Sequence, residues 1–141
     1  MADSRFYRGM EVLRKVDPAL ADSLSAMLEP RIDSGFSDSL SAKPDATMAE
    51  LARYAVEFGY GDILSRPGLG LRTRELLTVA MLGVMGTATL QLEMHVRSAL
   101  EVGATKEELV EVILQVAVYA GFPAAFNAML LLDKALTSTS I

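Results

Sequence analysis

His95 is the only histidine of the chain and the residue best suited to proton transfer. Gln91 precedes it by four residues, a spacing that places both side chains on one face of a helix. An imidazole takes up and releases a proton near neutral pH, and a neighbouring amide can fix which ring nitrogen carries it. We interpret His95 as a candidate general acid or base oriented by Gln91. The alternative is a hydrogen-bonded core histidine.

Three arginines lie close together before His95: Arg66, followed by Arg72 and Arg74. Guanidinium groups bind carboxylates and phosphates through paired N–H donors, and the start of a helix adds free backbone N–H groups. The cluster therefore predicts a site for the carboxylates of a small substrate. The alternative is that these arginines form ion pairs with Asp62, Glu75 or an acid of a neighbouring subunit.

Composition excludes several other classes of site. The chain has no cysteine, which removes disulfides, thiol catalysis and thiolate metal ligands. A single histidine without cysteine or paired carboxylates nearby argues against a metal site, which ordinarily needs three or four ligands. The net charge of -5 argues against nucleic acid as a partner, because such proteins carry a basic surface.

The apolar content points to self-association. Hydrophobic residues make up 51% of the chain, and a subunit interface is the simplest place for the excess. The longest apolar region, residues 109–132, contains Glu111, Gln115, Gly121 and Pro123, so it predicts two buried helices and a turn instead of a membrane span. We expect a homo-oligomer that does not bind membranes and, since no N-terminal signal is visible, resides in the cytoplasm.

Helix signals follow one another along the whole chain, and no strand pattern competes with them. They predict an all-α fold. In the N-terminal part, helices are expected from residue 3 or 4 to 16 and, capped by Asp17, from Pro18 to Leu28, with Pro30 ending the second. Residues 31–46 are rich in Ser, Asp, Gly and Pro, and form either an ordered arm or a disordered connection.

Five further helices are expected from residue 47 onward. The first opens with a capping box at Thr47 and Glu50 and ends at Gly59, and the second is capped by Thr73 and ends near Gly86. The third spans residues 88–102, and the last two span residues 105–120 and 121–136. The residues expected to face inward in the second are Leu76, Leu77, Ala80, Met81 and Val84. Glu93 and Arg97 should form an exposed ion pair opposite His95.

Two aromatic residues near the C-terminus are candidates for the wall of a substrate pocket. Tyr119 closes the long apolar helix, and Phe126 follows the turn at Gly121. A small carboxylated substrate needs apolar contacts besides its cation partners. The alternative for both rings is ordinary core packing.

The chain resembles the carboxymuconolactone decarboxylase family. The resemblance rests on residues 58–69, 72–82, 94–99, 103–108 and 119–125, and it covers roughly residues 47–133. It implies the helical bundle of alkylhydroperoxidase D, assembled as a homo-oligomer (trimer or hexamer), and decarboxylation without metal or organic cofactor. It also implies that His95 is the family's histidine and that Arg66, Arg72 and Arg74 hold substrate carboxylates. By this resemblance, residues 47–136 form the decarboxylase-like part, and residues 1–46 are N-terminal helices and an arm.

Three positions depart from the family's pattern. Gln91 stands where its decarboxylases place a glutamate one helical turn before the histidine, and Phe126 stands where they place an asparagine. Ala88 and Gln91 occupy the two places of the cysteine pair in the peroxidase branch, so thiol peroxidase activity is excluded there. The resemblance implies a cofactor-free carboxy-lyase with His95 and Gln91 at its centre. The alternatives are isomerisation or cyclisation of another enolisable acid, and a binding or assembly protein without catalysis.

Overall fold

The computed structural model describes residues 4–32 and 44–137, and helices are its only regular elements. The all-α prediction is therefore confirmed. The elements are α1 (Ser4–Val16), α2 (Pro18–Ile32), α3 (Pro44–Tyr54), the π-helix π1 (Ala55–Leu64), α4 (Leu71–Met85), α5 (Thr89–Glu101), α6 (Lys106–Ala120) and α7 (Phe122–Thr137). None of these helices is long and apolar enough to cross a membrane.

The chain divides into two compact units, one up to Gly68 and one from Leu69 onward. The division after residue 46, which the sequence suggested within a single structural domain, stays a prediction. Residues 33–43, the centre of the predicted arm, lie outside the described residues.

In the N-terminal unit, α1 packs against π1 at two glycines. A Cβ atom added to Gly9 would lie 2.2 Å from the carbonyl oxygen of Val56, and one added to Gly61 would lie 2.4 Å from that of Arg5. Only residues without a side chain allow two backbones to approach so closely. The two glycines thus fix where the helices cross.

The predicted cap between α1 and α2 is confirmed, because the backbone N–H of Leu20 donates to Asp17 Oδ1 at 3.0 Å. The predicted stop at Pro30 is wrong, since α2 continues to Ile32. A proline this close to a helix end removes only one backbone hydrogen bond, which the last turn tolerates.

The predicted bounds of the next helix are also wrong. α3 begins at Pro44, so Thr47 lies inside the helix, and Gly59 lies inside π1 instead of ending it. Proline is favoured in the first turn because its fixed φ suits a helix and its missing N–H has no partner there. That preference starts the helix before the capping box.

The C-terminal unit places a core between α4, α5, α6 and α7. Its fully buried residues include Val79, Val96, Ala99, Leu109, Ile113, Ala128, Leu132 and Ala135. The buried face of α6 consists of Leu109, Ile113 and Val116, and a capping box begins the helix: the N–H of Glu108 donates to Thr105 Oγ1, and the N–H of Thr105 donates to Glu108 Oε2. Gly86 ends α4 with a φ of 69°, a conformation that favours glycine.

The predicted inward face of α4 is wrong in part: Leu76 is partly buried against the core and Ala80 is half-buried, but the centre of the buried face lies elsewhere. The buried residues are Glu75, Val79 and Gly83, whereas Leu77, Met81 and Val84 are exposed. α4 is apolar on several sides, so its pattern alone does not single out one face. Gly83 decides the packing: a Cβ atom there would lie 3.3 Å from Val116 Cγ2, so α4 approaches α6 closely at this point.

Candidate active site

The contact between α4 and α5 brings a carboxylate against the single imidazole. His95 Nδ1 lies 2.7 Å from Glu75 Oε2. Glu75 sits in the buried row of α4 with Val79 and Gly83, and His95 sits beside the buried residues of α5. Helical spacing therefore directs both side chains into the same contact between the two helices.

The two partners differ in their access to solvent. The Glu75 side chain is 0% exposed, whereas the His95 side chain keeps 22% of its surface exposed. Glu75 Oε1 is buried and has no hydrogen-bond partner within the described ranges. An unpaired buried acceptor costs on the order of 1–3 kcal/mol.

This geometry assigns distinct tasks to the two ring nitrogens of His95. An ionised carboxylate only accepts hydrogen bonds, so the tautomer that suits this contact has its proton on Nδ1. Nε2 then faces away from Glu75 as the nitrogen that can exchange a proton with a substrate. The buried carboxylate also compensates the positive charge that the ring gains when Nε2 is protonated.

The residue that contacts the His95 ring is Glu75, and the orienting role of Gln91 stays a prediction. Gln91 is exposed in the first turn of α5, and no hydrogen bond joins it to His95 among the described residues. The i,i+4 spacing places both side chains on one side of the helix but does not bring the amide to the ring.

Arg72 forms hydrogen bonds with residues of its own unit. Its Nε donates to the carbonyl oxygen of Gly103 at 3.0 Å, and its terminal nitrogen pairs with Glu108. The pKa of Glu108 is lowered because the Thr105 N–H and the Arg72 guanidinium both donate to its carboxylate. Arg72 thus ties the start of α4 to the loop between α5 and α6, as in the ion-pair alternative, although with a different acid.

The other two arginines belong to different units of the chain. Arg74, in the first turn of α4 next to Glu75, donates from Nε to the carbonyl oxygen of Leu69 at 3.1 Å. Arg66 is exposed just after π1 and belongs to the N-terminal unit. Binding of substrate carboxylates by these residues stays a prediction.

Tyr119 and Phe126 line different grooves. Tyr119 lies in a groove of about 410 Å³ between α4 and α6, together with Thr73 and Gln115. Phe126 lies in a groove of about 380 Å³ between α6 and α7. His95 is not among the lining residues of either groove. The structure therefore does not bring the two rings and the imidazole together in one of these grooves.

The predicted pair of Glu93 and Arg97 is confirmed, and Glu93 also accepts from Lys134 Nζ of α7 at 2.8 Å. These contacts lower the pKa of Glu93, with the Lys134 hydrogen bond as the main cause. Glu93 is thereby separated from His95, which leaves Glu75 as the carboxylate that contacts the imidazole.

Sequence reasoning treated Glu75 only as a possible partner of the arginines and missed its contact with His95. A signal was available, because Glu75, Val79 and Gly83 follow one another at intervals of four residues. An acidic residue that shares this helical spacing with small and apolar residues lies on the same, buried face of the helix. No cluster of three or more His, Asp or Glu side chains suited to a metal ion occurs in residues 4–32 and 44–137.

The sequence is similar to those of several known proteins. The chain is 41% identical over 80 residues to a 4-carboxymuconolactone decarboxylase of Acinetobacter baylyi, covering 57% of this chain and 59% of the relative. It is 37% identical over 78 residues to a nitrosuccinic acid decarboxylase of Metarhizium robertsii, covering 55% of this chain and 54% of the relative. An uncharacterized 15.0 kDa protein of Paracoccus denitrificans is 43% identical over 75 residues, covering 52% of this chain and 56% of that protein.

The chain thus spans a little over half the length of these curated relatives. The model of the carboxymuconolactone decarboxylase family matches residues 49–134, which include both Glu75 and His95. Because this match extends over more than half of the sequence, the protein belongs to the carboxymuconolactone decarboxylase family.

Proposed function

We propose that this protein is a decarboxylase of a small carboxylated lactone or a related enolisable acid, with Glu75 and His95 as its proton-transfer pair. The observation that carries the proposal is the 2.7 Å contact between His95 Nδ1 and the fully buried Glu75 carboxylate. The names of two relatives, both decarboxylases, support the reaction class.

The proposed reaction needs one proton and uses no bound cofactor. The bond between the substrate carbon and its carboxylate breaks, CO₂ leaves, and the electron pair stays behind as an enolate. Protonated His95 then donates from Nε2 to the carbanionic carbon, and the ring takes up a proton from water for the next turnover. Glu75 holds the ring and balances its charge throughout, since a fixed carboxylate needs no rearrangement during the reaction.

The two named substrates of the relatives suggest what this site would accept. A lactone carbonyl and a nitro group both take up the electron pair released by decarboxylation next to them. We therefore propose an acid whose leaving carboxylate sits beside such an electron-withdrawing group. The sequence-based prediction that Arg66, Arg72 and Arg74 bind a second carboxylate is kept, because guanidinium groups bind carboxylates through paired N–H donors.

The test is CO₂ release from 4-carboxymuconolactone and from nitrosuccinate by the wild-type protein and by His95→Ala. We expect turnover of at least one acid by the wild type and a loss of about 10²–10⁴-fold in kcat on removal of the general acid. Circular dichroism would establish that the variant is folded. No turnover of either acid by the wild type would refute the substrate assignment, and equal turnover by both proteins would refute the role of His95.

A second candidate function is binding of a small acid without turnover. It is supported by the position of the two grooves, which are lined by Tyr119 and Phe126 and not by His95. Calorimetric titration with the same two acids distinguishes the candidates. Binding that is unchanged in His95→Ala, together with no CO₂ release by the wild type, would favour this second function.

A further inference from the structure

One guanidinium joins the ends of three helices in the C-terminal unit. Arg72 lies in the first turn of α4 and donates from Nε to the carbonyl oxygen of Gly103 at 3.0 Å, just after the end of α5. Its terminal nitrogen pairs with Glu108 in the first turn of α6. We call Arg72, Gly103 and Glu108 the Arg72 clamp.

Both partners of this guanidinium are fixed to their own helices. The N–H of Ala104 donates to the carbonyl oxygen of Ala99 at 2.8 Å, a bond that closes α5 around Gly103 with its φ of 92°. Glu108 is held by the capping box that it forms with Thr105. The clamp therefore fixes the start of α4 relative to the end of α5 and the start of α6.

The clamp lies one helical turn from the carboxylate of the proposed pair. Glu75 follows Arg72 by three residues, about 4.5 Å along the helix axis. Its Oε2 contacts His95 Nδ1, and its buried Oε1 has no hydrogen-bond partner in the part of the chain that the structure describes. The position of the carboxylate at the ring therefore depends on where α4 lies against α5.

We propose that the Arg72 clamp holds Glu75 against His95, so that Arg72 is a positioning residue for proton transfer. The inference rests on the proposed function of this pair. The close approach at Gly83 sets the far end of α4 against α6, and the clamp sets the end that carries Glu75. Precise placement matters, because a displacement of about 1 Å can lower a rate about 10²-fold.

Glu108→Gln breaks the clamp and spares the cap. Glu108 Oε2 accepts from the Thr105 N–H while Oε1 binds Arg72. Glutamine has a single oxygen, so when that oxygen keeps the cap, its NH₂ group faces the guanidinium, and two donors form no bond. Arg72→Gln breaks the clamp from the other side. Arg97→Gln is the control, because Arg97 pairs with Glu93 on the same helix and that bond cannot fix α4 relative to α5.

The measurement is the tautomer of His95 by nitrogen NMR spectroscopy, which needs no substrate. His95 is the only histidine of the chain, so isotopic labelling of histidine reports its two ring nitrogens alone. We expect the neutral ring of the wild type to carry its proton on Nδ1. The ratio of this tautomer to the other should fall by about tenfold in Arg72→Gln and Glu108→Gln, as for the loss of one hydrogen bond to a charged group.

Arg97→Gln should keep the wild-type ratio, and circular dichroism should show all three variants folded. If Arg72→Gln does not fold, the ratio in Glu108→Gln decides by itself. An unchanged tautomer ratio in the folded clamp variants overturns the proposal. So does an equal fall of the ratio in Arg97→Gln, because the effect would then not depend on the contact between α4 and α5.

Steady-state decarboxylation separates positioning from direct binding of the substrate by Arg72. Loss of the clamp should lower kcat by about tenfold or more and leave KM within about twofold. If Arg72 instead acted only by binding a substrate carboxylate, Glu108→Gln would release it and lower KM at unchanged kcat, which would contradict positioning. A wild type that turns over neither acid refutes the proposed function, and the tautomer ratio alone then decides whether the clamp holds the pair.

Discussion

Nδ1 of His95 on α5 and Oε2 of Glu75 on α4 lie 2.7 Å apart, with the carboxylate sealed in the core and the ring partly open to solvent. The pair is thus anchored on one side and accessible on the other. A carboxylate in contact with one ring nitrogen of an imidazole favours the tautomer that donates to it. The predictions about activity follow from this relationship.

Glu75→Gln should separate the chemical role of the carboxylate from its packing. Glutamine has nearly the same shape, so the fold should persist, but its amide can donate to Nδ1 and so favour the wrong tautomer. We expect kcat for decarboxylation to fall by about 10²-fold or more, in the range of proton-transfer contributions, with little change in KM. Steady-state kinetics of CO₂ release checks this.

Glu93→Gln is the matched control for that variant. It also removes one carboxylate, but this one pairs with Arg97 and Lys134 instead of the imidazole. Its kcat should equal that of the wild type. If Glu75→Gln keeps full activity, or if both variants lose it equally, the pair is not the proton-transfer unit.

Substitutions of Gln91 should have small effects, because the amide is exposed and Glu75 already holds the ring. We expect Gln91→Ala and Gln91→Glu to change kcat by less than about tenfold, below the usual contribution of a proton-transfer group. Single-turnover rates for both variants provide the measurement. A large gain in Gln91→Glu would instead mean that the proton relay needs a carboxylate one turn before His95.

The sequence was sufficient for the helices with clear end signals. The cap at Asp17, the capping box at Thr105 and the glycine end at Gly86 are local interactions between residues a few positions apart, so the chain itself specifies them. Two signals for the start of a helix lie close together at Pro44 and Thr47. The sequence pattern does not decide at which of them the helix begins.

The site was less predictable because its key contact joins residues twenty positions apart. The single histidine identified the chemistry, but its partner depends on which face of α4 is buried. That face is set by the close approach at Gly83, a packing effect that needs three dimensions to assess. The sequence favoured Gln91 because spacing within one helix is visible and contact between helices is not.

The stability of the C-terminal unit should depend on pH through Glu108. The pKa of this carboxyl is lowered from its ordinary value of 4.5, mainly by the Thr105 backbone N–H and then by Arg72. A lowered pKa in the folded state contributes stability that is present above pH 4.5 and is lost as the pH falls through the folded value.

Glu108→Gln isolates this contribution, because glutamine can keep the capping box while removing the charge. Thermal melts should show the variant less stable than the wild type at neutral pH. The gap should close as the pH is lowered below 4.5. A constant gap at every pH would show that the ionised carboxylate adds nothing to stability beyond its hydrogen bonds.

The crossing of α1 and π1 yields a matched pair of glycine substitutions. A Cβ atom at Gly9 would lie 2.2 Å from the carbonyl oxygen of Val56, whereas one at Gly59 would meet nothing within 4 Å. Gly9→Ala should therefore push the helices apart and lower the free energy of unfolding by about 1–3 kcal/mol, as overpacking does.

Gly59→Ala should leave the free energy of unfolding unchanged or raise it by up to about 1 kcal/mol, because alanine loses less backbone entropy than glycine inside a helix. Urea denaturation followed by circular dichroism measures both variants against the wild type. Both replace the same residue type with the same side chain in helices of one unit, so their difference reports only the space around each glycine. Equal stabilities would mean that α1 and π1 do not cross at Gly9 as closely as 2.2 Å implies.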